Sequence, residues 1–160
     1  MADRRFGLGF DTHPRDPNRP LRLAGVAFGG EEGLAGHSDG DVICHAVADA
    51  LLGAAALGDL GQHFPDSDPG MAGISGTELL ARTVSLVRAA GLVPEACDVV
   101  VLAERPSIAP RRDEMRASLA KALGTDAERV SVKATRPEGV GLTGQGAACL
   151  ALAVLVAGEA

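Results

Sequence analysis

Residues 38–57, "SDGDVICHAVADALLGAAAL", read as a helix that is apolar on nearly every side, and such a helix has to be buried against the rest of the fold. Ser38 with Asp41 three residues later forms a capping-box pattern ahead of the apolar run. The polar positions Asp41, His45 and Asp49 fall at i, i+4 and i+8 and so make a single line on the cylinder. Burying these groups without partners is costly, so the stripe calls for partners elsewhere in the chain. The plain alternative is a solvated face on which Asp41 is only a cap.

Candidate partners stand in residues 9–16, "GFDTHPRD". On a strand, residues i and i+2 point to the same face, which sets the Asp11 carboxylate beside the His13 imidazole. The strand is expected to end there, with "HPRD" supplying the turn. Two His and one carboxylate with a fourth position open are the ligand set of a catalytic tetrahedral zinc site, here Asp11, His13 and His45. Asp49, one turn beyond His45, could orient an imidazole from behind.

Composition narrows the function classes. The 160 residues include four Phe and neither Trp nor Tyr. The core must therefore be aliphatic and Ala-rich, and stacking platforms for single-stranded nucleic acid are not expected. A net charge of −6 argues against a nucleic-acid partner. It does not exclude a small anionic substrate, because bound metal ions reverse the local field. Cys44, Cys97 and Cys149 form no C-x-x-C pattern and read as reduced, buried thiols of a cytoplasmic protein. With no signal-peptide core and no apolar run approaching about 20 residues, a soluble protein with no membrane partner is expected.

The remaining pattern alternates strands and helices. "RFGLGFD" reads as a strand, "LRLAGVAF" after a Pro-rich loop as a second strand or a hairpin, and "GGEEGLAG" as a connection. "GDLGQHFPDSDPGMAG" reads as a long polar loop. A helix follows with Ser75 and Glu78 as its capping pair and Gly91 as its stop. "ACDVVVLA" is a strand, the next helix has Pro110 near its start and Gly124 past its end, and "RVSVKAT" is a strand. The terminal "GAACLALAVLVA" suits helix or buried strand by periodicity. The sum is an α/β or α+β domain over 1–160, without repeats.

The block "GHSDGDVICHAVADALLGAAALGDLGQHFPDSDP" resembles the 2-C-methyl-D-erythritol 2,4-cyclodiphosphate synthase family, with its AHSDGD-x-x-x-H helix start and GD-[IL]-G-x-x-FPD-[ST]-D loop. "GLGFDTH", "VSVKAT" and "GLTGQG" resemble its other blocks, in family order over essentially the whole chain. The resemblance implies an α+β single domain with a mixed sheet packed against helices. It also implies a homotrimer with β-structure around the threefold axis and active sites between subunits. The implied substrate is CDP-linked, cyclised with release of CMP in non-mevalonate isoprenoid synthesis.

Matched by motif, Asp11, His13 and His45 would bind Zn2+. His37 and Ser38 would lie on the phosphate and erythritol side, with His37 among the catalytic groups. Asp59, Leu60 and Gly61 would face the methylerythritol hydroxyls, and Phe64, Pro65, Asp66, Ser67 and Asp68 would begin a flap. From another subunit, Ala103, Glu104, Arg105 and Pro106 would line the cytidine pocket. Thr135, Arg136 and Glu138 would contact the diphosphate, Glu138 with Mg2+ or Mn2+. His63 lies outside the motif and is expected to be an ordinary loop residue.

The chain departs from the family pattern at Arg136, where a second threonine is usual, and at Leu142, Gln145 and Ala147. The lost Arg and Glu of the last block bear on an isoprenoid site near the threefold axis. Arg136, ahead of Pro137, should be extended and could offer a diphosphate two charge-assisted hydrogen bonds. Two other readings use the same residues: a zinc-dependent nucleotide-diphosphate phosphoesterase, and a weakly active trimeric homologue binding CDP or isoprenoid diphosphates.

Overall fold

The computed structural model describes residues 3–141 and 145–158. Strands β1 (Arg4–Leu23), β2 (Val26–Leu34), β3 (Leu92–Leu102), β4 (Val130–Thr135) and β5 (Gly146–Ala157) form one mixed sheet. Its order is β2-β1-β5-β3-β4, with only the β3–β4 pair parallel. The helices are α1 (Val42–Ala54), α2 (Leu60–His63), α3 (Gly76–Ala89) and α4 (Arg112–Leu123). The architecture is the expected α+β one, and the terminal apolar segment is strand β5, paired on both sides.

Two glycines decide how closely helix and sheet approach. A Cβ on Gly7 would come under 3.0 Å from the Ala50 carbonyl oxygen, and one on Gly9 would do the same at Ala46. The backbone of α1 thus lies directly on β1, an approach open only to glycine. Alternation then puts Gly7, Gly9, Asp11 and His13 on one row of β1. The glycines lie under the helix body, and the two candidate ligands lie beyond them, at the helix N-terminus. On the opposite face Phe6, Leu8 and Phe10 are 64%, 69% and 55% exposed, beside Leu150 on β5 at 43%.

Three expectations fail locally. β1 does not end at His13: it pairs with β5 through Pro14 and with β2 from Arg15 onward. Its prolines fit because Pro14 closes one ladder and Pro20 sits at a break in register, where no amide donor is required. Of the two readings of "LRLAGVAF", the structure shows the hairpin, with a two-residue turn at Ala24 and Gly25, both with positive φ (53° and 76°). "GGEEGLAG" is largely edge strand β2, and the long polar loop contains α2 and a 3-10 turn at Pro69–Met71.

The first helix is capped by Asp41, not Ser38. The Asp41 side chain accepts from the amides of Ile43 and Cys44 at 3.2 and 3.1 Å. It also accepts from Ala24 and Gly25 across the hairpin turn at 2.9 and 2.6 Å. Burial pushes its carboxyl pKa up against those donors. Ser75 caps α3 as expected, and Gly124 ends α4 in the left-handed region. All three cysteines are buried free thiols, with burial pushing Cys97 up to about 12.

Candidate metal centre and nucleotide cleft

β1 delivers Asp11 and His13, and the first turn of α1 delivers His45. The Asp11 Oδ2 lies 2.7 Å from His13 Nε2 and 3.1 Å from His45 Nδ1, and those two nitrogens are 3.1 Å apart. With the Asp11 carboxylate ionised, no protonation of the two rings suits that triangle. A proton on each ring sets two N–H groups against one another, and one proton leaves an imidazole lone pair facing the carboxylate. A cation among the three satisfies all of them. Tetrahedral zinc with bonds of about 2.0–2.1 Å separates its ligand atoms by about 3.3 Å, so a slight opening suffices. Among the described residues this is the cluster that could hold a metal ion.

Burial alone would raise the Asp11 pKa, but the hydrogen bonds and charge of His13 and His45 outweigh it and hold it at about 2. Burial works against His13 as well, and the Asp11 hydrogen bond and charge raise its pKa overall.

The support behind the ligands differs from the sequence expectation. Asp49 orients no imidazole: its Oδ1 accepts the Leu60 amide at 3.1 Å and ties α2 to α1. Ser38 takes that role, its Oγ lying 2.8 Å from His45 Nε2 and leaving Nδ1 turned to the metal position. Ser38 is only 6% exposed. A further residue passed over in the sequence is Arg19 on β1. It donates to the carbonyls of Gly36 and Ser38 and so holds the loop that carries His37. An arginine in a Pro-rich stretch gives no signal of such a role, because the loop it serves lies across the hairpin.

A cleft of about 410 Å³ opens over the triad, lined also by His37, Ser38, Leu60, Phe64 and Asp66. His37 Nε2 is 3.5 Å from the Asp66 carboxylate, with both side chains largely exposed at the mouth. Asp59 caps α2 by accepting the Gln62 amide at 3.0 Å, and Asp68 caps the following 3-10 turn. Gly61, Pro65, Ser67 and Asp68 are exposed around the cleft rather than within it. His63 donates to the Leu57 carbonyl at 2.8 Å.

The other expected residues gather elsewhere. Ala103, Pro106, Thr135 and Arg136 line a separate cleft of about 200 Å³. Beside it the Glu104 carboxylate accepts the Gly139 amide at 3.2 Å, and Arg105 pairs with Glu32 at 2.7 Å. Glu138 is exposed, with φ 52°. The Gln145 carbonyl accepts the Arg15 amide at 2.8 Å, and Leu142 lies outside the described residues. Among the described residues these two groups line separate clefts, one over the triad and one at Thr135 and Arg136. No helix among the described residues is long and apolar enough to cross a membrane.

The model of the YgbB family matches residues 4–157. A 2-C-methyl-D-erythritol 2,4-cyclodiphosphate synthase of Salinibacter ruber is 52% identical over 141 residues, 88% of this chain and 90% of that protein. A bifunctional enzyme IspD/IspF of an Anaeromyxobacter species is 53% identical over 149 residues, 93% of this chain but 38% of that protein. The chain thus spans about two-fifths of the length of such bifunctional relatives. Among solved structures, the bifunctional IspDF of Campylobacter jejuni superposes with TM-score 0.94 at 38% identity, over 99% of this chain and 44% of that one. A 2C-methyl-D-erythritol-2,4-cyclodiphosphate synthase in a CDP-bound form gives 0.88 at 34% identity, over 94% of this chain and 99% of that one. A fold, a metal-competent triad and a sequence that agree across nearly the whole chain have one reading: it belongs to the 2-C-methyl-D-erythritol 2,4-cyclodiphosphate synthase family.

Proposed function

We propose that this chain, as a single cyclodiphosphate synthase domain over 1–160, converts 4-diphosphocytidyl-2-C-methyl-D-erythritol 2-phosphate into 2-C-methyl-D-erythritol 2,4-cyclodiphosphate and CMP. The observation that carries the reading is the convergence of Asp11, His13 and His45 on one point at the floor of a cleft. An oxygen of the 2-phosphate attacks the β-phosphorus of the same molecule, a new P–O bond forms, and the bond to the CMP phosphate breaks. Because nucleophile and electrophile are tethered, positioning and charge neutralisation supply most of the catalysis. Zn2+ held by the triad, and Mg2+ or Mn2+ near Glu138, would act as Lewis acids and templates on the phosphoryl oxygens.

The chain's own groups do the rest. Ser38 fixes the His45 ring, and Arg19 fixes the loop that brings His37 to the mouth of the cleft. Asp59, Leu60 and Gly61 face the sugar hydroxyls, and the Phe64–Asp68 segment covers them. Ala103 to Pro106 take the cytidine of a substrate bound at the neighbouring metal cleft, with Thr135 and Arg136 on its diphosphate.

This reading needs a second copy, since the two clefts are separate among the described residues of one chain. The apolar row Phe6, Leu8, Phe10 and Leu150 supports a homotrimer packed through the sheet, because so contiguous an apolar surface is unusual on a monomer. Cytoplasmic residence fits the three reduced thiols. His45→Ala tests the assignment. It should remove zinc by elemental analysis and abolish CMP release while the helix persists, because Ala favours helix. Full zinc occupancy in that variant contradicts it.

A further inference from the structure

Arg15 lies two residues beyond His13 on β1 and has no part in the chemistry above. Its main chain is pinned on both sides, pairing with Leu34 of β2 and donating to the Gln145 carbonyl. Its guanidinium is half-buried and forked between two main-chain carbonyls. Nη1 donates to Glu32 of β2 at 2.9 Å, and Nη2 donates to Arg105. The second acceptor lies 90 residues away, in the Ala103–Pro106 segment. The Arg105 side chain turns back to the Glu32 carboxylate at 2.7 Å, with half of its own surface exposed.

We propose that Arg15 is a positioning residue for the nucleotide loop. Its planar fork fixes the Arg105 carbonyl against β2 and so sets the shape of the cleft formed by Ala103, Pro106 and Thr135. The inference rests on the reading that this cleft takes cytidine. Only a guanidinium spans two carbonyls in a fixed plane, since a lysine offers a point charge on a flexible stem. The placement carries a cost, because Arg15 Nε and Glu31 Oε2 are buried without hydrogen-bond partners. Two charge-assisted bonds to main-chain oxygens offset it. The Arg105–Glu32 ion pair is exposed and salt-screened, so it contributes little to holding the loop. Arg15 shares its strand with Asp11 and His13, so one rigid element carries both the metal donors and the brace of the nucleotide loop.

The test compares zinc-loaded parent with Arg15→Met, Arg15→Lys and Glu32→Gln. It uses CDP titration calorimetry, steady-state kinetics, and amide hydrogen exchange over residues 103–108. Loss of a half-buried two-bond clamp should weaken CDP binding by about 10- to 100-fold in Arg15→Met. KM should rise with it, kcat should stay within a small factor, and zinc content should be unchanged. Exchange at 103–108 should quicken. Arg15→Lys should recover part of the affinity. Glu32→Gln, which removes the ion pair and keeps both carbonyls, should weaken binding by less than about threefold. Arg15→Met with parental CDP affinity and parental exchange overturns the proposal. If the parent itself does not bind CDP while exchange in Arg15→Met still quickens, the brace stands and the cytidine reading of the cleft falls.

Discussion

Asp41 offers the sharpest separation of structure from chemistry, because it stands in line with His45 yet all its bonds are architectural. Its carboxylate is 0% exposed and accepts four main-chain amides, two at the start of α1 and two in the Ala24–Gly25 turn. Asp41→Ala removes a helix cap, at about 0.5–2 kcal/mol. It also orphans two turn amides, at about 1–3 kcal/mol each if they stay buried. Ala24 at φ 53° adds to the loss, since nothing then holds a non-glycine residue in that region. Because the Gly25 amide is only part-buried and can turn to water, the lower part of these ranges applies, about 3–5 kcal/mol, a large share of the roughly 5–15 kcal/mol typical of a domain. At this chain length that corresponds to a fall in Tm of about 10 °C. Asp41→Asn keeps one oxygen and sets an amide N–H₂ against the Gly25 donor, for about 1–3 kcal/mol. The assay is thermal melting by circular dichroism with zinc measured on the folded protein. Both variants should bind zinc as the parent does. Asp41→Ala melting within 2 °C of the parent (a shift of roughly 1 kcal/mol or less), or zinc lost from a fully stable variant, refutes the reasoning.

Arg136→Ala should lower turnover by roughly 10- to 100-fold, about 1.4–2.7 kcal/mol of transition-state stabilisation, with zinc content unchanged; parental turnover would make the arginine a bystander. If the apolar sheet face packs the proposed trimer, Leu8→Asp, at a position 69% exposed on that face, should yield monomers in light scattering and abolish turnover while the far-ultraviolet spectrum is retained. In the metal-free protein, Asp11 has its pKa depressed to about 2, so its contribution is present above the unfolded value and fades as pH falls through about 2. Discounted for partial exposure it is worth about 1–2 kcal/mol, and urea unfolding between pH 5 and pH 2 should show that much less loss in Asp11→Asn than in the parent. His13 has its pKa raised, so its part is complete below the unfolded value near 6.5 and is lost as pH rises through the folded one.

What the sequence disclosed and what it hid follow physical lines. The D-x-H row was legible because strand alternation is local, and His45 because helical spacing is local. The terminal strand was ambiguous because Ala and Leu serve either element, and pairing on both sides by β1 and β3 decided it. The Pro-rich stretch 14–20 read as a loop because a proline without an amide argues against a ladder. It is a strand because its prolines fall where the ladder needs no donor. Asp41 caps its helix as the plain alternative has it, but it also braces the Ala24–Gly25 turn, while Ser38 and Asp49 perform tasks other than capping the helix and orienting an imidazole. Helical spacing relates these residues only to their own helix, whereas their partners lie on the far side of a turn or on another element. Gly7 and Gly9 looked like part of a motif, and their purpose emerges only when α1 is seen lying on them.

Under the proposed function, the triad and a neighbouring nucleotide cleft together close a ring rather than open a chain. Phosphorus-31 NMR of the products formed from 4-diphosphocytidyl-2-C-methyl-D-erythritol 2-phosphate, with zinc and magnesium present, tests it most directly. Ring closure gives CMP in equal amount with a cyclic diphosphate whose two phosphorus nuclei are mutually coupled. CMP accompanied by an open-chain bisphosphate would mark a phosphoesterase, and binding without CMP release would mark a homologue without turnover; either result contradicts the proposed cyclisation.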